Sequence, residues 1–205
     1  MYSISLFLHI VGALGLFASL AFEQAAFFNL GRASTTAEAR EWLSLLRVVR
    51  RIQGPSALFL VATGLYMMAT RWSQQAWAGL GLVGMVLMVI IGVAVTGRRM
   101  KVIGRAVPTG DGPLPAALRE RFGDPALRTS ASVRVALALG IVFNMSVKPA
   151  TGGAVAALVV ALGLGLVAAQ VHRGLRGLGA AHCGTSAVVQ RGRGSLKLSL
   201  IPNLE

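Results

Sequence analysis

Acid is scarce in this chain. Seven aspartates and glutamates stand against twenty lysines and arginines, and charged residues of both signs fill 13% of its 205 positions. Soluble proteins carry about a quarter, so there is too little charge here to coat a water-soluble core. Cysteine occurs once, as Cys183, which excludes an intrachain disulfide and a cysteine-built metal cluster within one chain. Histidine occurs three times, as His9, His172 and His182. No phosphate loop, nucleophile elbow, HExxH helix or CxxC pair is found. Those absences set aside hydrolases and nucleotide-driven enzymes, and a non-enzymatic protein is expected.

What is abundant is apolar sequence, 55% of the chain, in five charge-free windows at 1–22, 52–70, 72–97, 135–147 and 149–171. A helix crosses a hydrocarbon core of about 30 Å with about 20 residues, and four windows meet that length. The fourth is short by itself. The basic residues decide its fate. All except Arg71 and Lys148 lie in the first connection, the third connection or the tail. If every window crosses, these segments share one side. Were the fourth not to cross, the asymmetry would collapse. The positive-inside rule then predicts an outside amino terminus and a cytoplasmic tail. Arg134, at the start of the fourth window, can snorkel to the interface. The net charge of +13 is explained by this sidedness, and nucleic acid is not an expected partner. The amino-terminal window has no positive charge before it and runs past the length of a signal peptide's apolar region.

The expected fold is therefore all-α: a polytopic membrane bundle of five helices, N-out and C-in, spanning 1–172. The spans are placed at about 3–30, 54–70, 76–97, 126–148 and 152–171. Thr35 and Glu38 have capping-box spacing and open a helix on which Trp42, Leu45, Leu46, Val49 and Ile52 form a stripe, with Arg40, Arg47, Arg50 and Arg51 largely off it. That is an amphipathic cytoplasmic helix facing anionic headgroups, or a helix packed on the end of the bundle. Gly54-Pro55 is expected to break it and open the second span. The short link holding Trp72 and Trp77 makes spans two and three a hairpin, with both rings suited to the outer interface. Asp124-Pro125 starts the fourth helix, Lys148-Pro149 stops it, and Thr151-Gly152-Gly153 turns into the fifth. Residues 173–205, rich in Gly, Arg and Ser without periodicity, are expected to be a disordered cytoplasmic tail.

Polar residues inside a membrane are costly and so mark candidate sites. His9, Gly12, Leu16, Ser19 and Glu23 share one face of the first helix. Glu23 and Arg134 lie at similar depth by a count of about 1.5 Å per residue. They form an intramembrane ion pair, or Glu23 couples protons, or it reaches the interface. Gly140, Asn144 and Lys148 form a seam on the fourth helix that ends near the level of His9, so His9, Asn144 and Lys148 make a candidate outward polar pocket for an anionic group. Imidazole also ligates haem iron or copper, which makes His9 a candidate metal ligand with methionines as softer partners. Gly153, Ala157, Ala161, Gly165 and Ala169 place small residues at every fourth position of the fifth span, a surface for another helix of the bundle or for a second copy of the chain.

His9-Ile10-Val11-Gly12, Gly64-Leu65-Tyr66, Gly97-Arg98-Arg99-Met100 and Asn144-Met145-Ser146-Val147-Lys148-Pro149 together resemble a group of small bacterial integral-membrane proteins that carry a domain of unknown function. The resemblance covers about residues 1–170 and implies a multi-pass protein of the bacterial inner membrane. His9 and the glycines after it are also similar to copper-resistance and haem-pathway membrane proteins with a histidine in the first helix, which implies haem or copper as cofactor. Three functions are expected from these residues: a small permease or membrane-complex subunit with an outward pocket, a haem- or copper-binding protein using His9, or an assembly protein that oligomerises or meets a membrane partner through its fifth span.

Overall fold

The computed structural model describes residues 2–72 and 75–171; the predicted tail at 173–205, with His182 and Cys183, lies outside them, as does His172. Six helices follow one another: α1 (Tyr2–Leu30), α2 (Thr36–Arg71), α3 (Ala76–Ala106), α4 (Ala116–Phe122), α5 (Pro125–Val147) and α6 (Thr151–Val171). The one non-helical pairing among the described residues is an isolated bridge between Thr35 and Pro113. Five helices are long and apolar enough to cross a membrane, the fourth of them counting α4 and α5 together.

α1 and α2 are an antiparallel hairpin along their whole length. The Arg71 guanidinium lies 5.5 Å from the Tyr2 ring centre, the His9 ring lies beside Thr63 and Gly64, and Gly12 lies against Ser56 and Leu60. Phe27 shares a buried cluster with Leu46. The backbones approach closely at Gly12, where a Cβ would stand 3.2 Å from the Ser56 carbonyl oxygen.

This geometry corrects two expectations. Gly54-Pro55 does not break the chain: α2 is one helix of 36 residues with Pro55 inside it. A residue before proline is pushed out of the helical region partly by its Cβ, and Gly54 has none, so the clash that normally ends a helix is reduced. The arginine-rich stretch is accordingly not a separate element but the first half of α2. It packs along α1, with Leu46 and Val49 buried and Trp42 half-buried. The capping box forms at Thr35 as the spacing predicts. Thr35 Oγ1 accepts from Glu38 N–H at 3.3 Å, and the Glu38 carboxylate reaches back to the backbone N–H of Ser34 at 2.8 Å and, more weakly, to that of Thr35.

α3 contains one wide π-helical segment, Gly92–Gly97, and continues nine residues beyond the expected apolar span. The loop after it returns to the α1–α2 connection, where Thr36 N–H donates to Gly112 O and Leu114 N–H to Ser34 O. Arg40 binds Asp111, and Arg99 binds Asp124. α5 starts where expected, with Asp124 accepting from Ala126 N–H and Pro125 in the first turn. It stops at Lys148, whose left-handed backbone (φ 51°) turns the chain into α6.

The apolar interior divides along the bundle. One cluster joins Leu30, Leu46, Met100, Ile103, Phe122 and Leu127 around the arginine-rich end. A second joins Leu16, Leu20, Met85, Met88 and Leu137 in the middle of the bundle. Trp77, Ala78 and Ala154 gather at the arginine-poor end.

Candidate functional site

Between the first two clusters lies a layer of buried polar groups, one or two from each of four helices. α1 contributes Glu23, whose side chain is 3% exposed, and α5 contributes Arg134 at the same 3%. Arg134 Nη2 stands 2.8 Å from Glu23 Oε1. The same guanidinium donates to Thr96 Oγ1 on α3 at 3.4 Å and, through Nε, to the carbonyl of Ser130 one turn earlier. Thr96 Oγ1 and Ser130 Oγ are 2.9 Å apart. From α2, Arg50 Nη2 donates to the Thr96 carbonyl at 3.5 Å and lies within electrostatic reach of both Glu23 and Arg134.

The wide turn of α3 makes room for this layer. Gly92 begins it, and a Cβ there would stand 3.3 Å from Arg134 Nη1. π-turns arise as single wide turns inside α-helices, frequently at functional sites, and this one carries Thr96. One group is left over. Glu23 Oε2 is buried and makes no hydrogen bond. A buried carboxylate oxygen without a donor costs on the order of 1–3 kcal/mol, so the layer holds a charge pair whose acid is under-satisfied.

No family model, curated protein or solved structure matches this chain.

The residues singled out at the other end of the bundle have separate partners. His9 Nδ1 lies 3.0 Å from Thr63 Oγ1. With that hydroxyl donating to the Phe59 carbonyl, it accepts from the imidazole in the tautomer that carries its proton on Nδ1. Asn144 is fully buried and donates to the Ala154 carbonyl at 3.2 Å, tying α5 to the first turn of α6. Lys148 points to neither. Its ammonium sits 4.5 Å from the Trp72 ring centre and 5.7 Å from that of Trp77, and the two rings meet edge to face. A cation–π contact thus joins the α5–α6 turn to the α2–α3 turn.

Around His9 the described donors are few. One imidazole with Nδ1 committed offers a single ligand. Met68 and Met145 pack with the tryptophans, and Met85 and Met88 fill the middle of the bundle. Among the described residues no group of three His, Cys, Asp or Glu side chains is placed to hold a metal.

The small residues of the fifth span face α5 within the same chain. A Cβ on Gly165 would fall 2.7 Å from Val133 Cα, and one on Gly140 would fall 2.8 Å from the Ala161 methyl. Ala161 and Ala169 are buried, Ala157 is half-buried, and Gly153 lies against Pro149. Sequence reasoning missed Thr96, Ser130, Arg50 and Thr63. Ser130 had a signal, standing one helical turn before Arg134. The rest depend on how neighbouring helices are rotated.

Proposed function

We propose that the chain is a five-span protein of the bacterial inner membrane, N-out and C-in, working as a small permease or membrane-complex subunit whose operating element is the Glu23–Arg134 layer. The supporting observation is Glu23 itself: a carboxylate at 3% exposure with one oxygen paired to arginine and the other without a donor. Pairs of this kind are often no more stable than apolar residues of similar volume, whereas intramembrane acids mark ion and proton pathways. The membrane placement is supported by the charge asymmetry and the five apolar helices; the bacterial origin rests on the family resemblance.

Liposomes holding a pH-sensitive dye test the operating element. Wild-type protein is expected to pass protons under an imposed potential, and Glu23→Gln to reduce the flux to that of empty vesicles. Wild-type flux equal to that of empty vesicles would remove the permease reading. A reporter fused after Glu205 tests the placement, and a signal in the periplasm would reverse it.

A further inference from the structure

A cleft of about 450 Å³ opens between the first half of α2 and the last turns of α3. Its charged lining is entirely basic: Arg40, Arg47, Arg50, Lys101 and Arg105, with no aspartate or glutamate. Arg40 is already committed to Asp111 and the Thr109 carbonyl, and Arg50 makes one long bond to Thr96. Arg47, Lys101 and Arg105 have no ion pair among the described residues. Cations gathered around one cavity repel each other, and an anion placed among them removes that repulsion while gaining charge-assisted hydrogen bonds.

The depth of the cleft says which anion. Arg50 and Arg47 come one and two turns before Gly54, where the apolar run of α2 begins, and Lys101 and Arg105 come one and two turns after Gly97, where that of α3 ends. At 1.5 Å per residue these groups stand about 6 to 12 Å beyond the apolar spans. The headgroup layer occupies roughly 5–8 Å on each side of the hydrocarbon, so Arg50 and Lys101 stand at its level and Arg47 and Arg105 lie just beyond its aqueous edge, within reach through their long side chains. Leu43, Leu46 and Met100 add an apolar wall fit for the first methylenes of an acyl chain. Basic pockets between helices at this level suit phospholipid headgroups, and the guanidinium fork matches phosphate oxygens.

We propose that this cleft is a binding site for one phosphate group, held by Arg47, Arg50, Lys101 and Arg105. The inference rests on the membrane placement given above and is independent of proton flux. Native mass spectrometry of the full chain in neutral detergent tests it, with phosphatidylglycerol, phosphatidylcholine or inorganic phosphate as the probe. One phosphatidylglycerol is expected to be retained at least about tenfold better than phosphatidylcholine, because each basic residue near the surface contributes about 1 kcal/mol. The triple variant R47Q/K101Q/R105Q loses that preference, while R32Q/R98Q/R121Q, with the same change in net charge, keeps it. Displacement of the lipid by inorganic phosphate identifies a free anion as the natural occupant; resistance to displacement identifies a headgroup. Equal loss in the two triple variants, or no preference for either phosphate probe over phosphatidylcholine, overturns the site. A tail found outside the cell would move the cleft to the opposite leaflet and leave the binding measurement standing.

Discussion

The two ends of the bundle share α1, α2, α3 and α5 but differ on their outer surface. At the arginine-rich end, Leu30, Leu46, Ile103, Leu118 and Phe122 form a core beneath a surface where Arg47, Lys101, Arg105 and Arg119 stand among exposed apolar residues such as Val48 and Val102. Towards the other end the interior is just as apolar, but the outside is apolar too: Leu58 is 69% exposed, Leu14 66% and Val93 66%. In water so wide an apolar surface would drive association; against lipid it costs nothing. The inside is alike in both halves. What changes across the Glu23–Arg134 layer is the outer surface of each half.

The largest expected effect falls on that boundary. Arg134→Leu leaves Glu23 buried without its ion-pair partner, and loss of about 3–5 kcal/mol of folding stability is expected in detergent unfolding. The double change E23Q/R134Q should cost less than the sum of its two single changes, and strict additivity would mean that the layer does not couple the two halves.

A middle-sized effect separates inner from outer faces within the apolar half. Gly165→Leu drives a side chain into the backbone of Val133 and should cost about 1–3 kcal/mol. Gly163→Leu, on an open face of the same helix, should stay within about 0.5 kcal/mol. If both variants melt together, α6 is not packed as described.

Smaller still is Thr63→Val, which takes the acceptor from His9 Nδ1. A loss of about 1 kcal/mol is expected, and His9→Phe in the same background should recover part of it. The smallest effect belongs to the arginine-rich surface. Asp111→Asn breaks a pair whose aspartate is 81% exposed, and a change below about 1 kcal/mol, fading with added salt, is expected from thermal melts. A larger loss would show that this end relies on its surface charge.

Composition alone carries much of this fold. A charge-free window of about 20 residues needs no neighbour to be recognised, which is why four of the five apolar helices were legible by themselves, while the short window at 135–147 was legible only through the sidedness of the basic residues. Depth is legible as well: a count of residues put Glu23 and Arg134 level, and they stand 2.8 Å apart. Rotation is not. Whether Thr96 faces Arg134 or lipid depends on the wide turn at Gly92–Gly97, and no spacing rule announces such a turn in an unbroken apolar run. Pro55 misled for the opposite reason. Proline speaks strongly in sequence, but its effect here was decided by the missing Cβ of Gly54 and by continuous packing along α1.

The wide turn also sets the phase of everything after it. A six-residue π segment holds one residue more than the α-helix it interrupts, and each residue of an α-helix rotates its successors by about 100°. Deleting a single residue there would restore a regular helix and swing Met100 and Ile103 away from the core they now enter, taking Lys101 and Arg105 with them. The inserted residue therefore works as a key cut into the helix: one position aims the bundle's basic end.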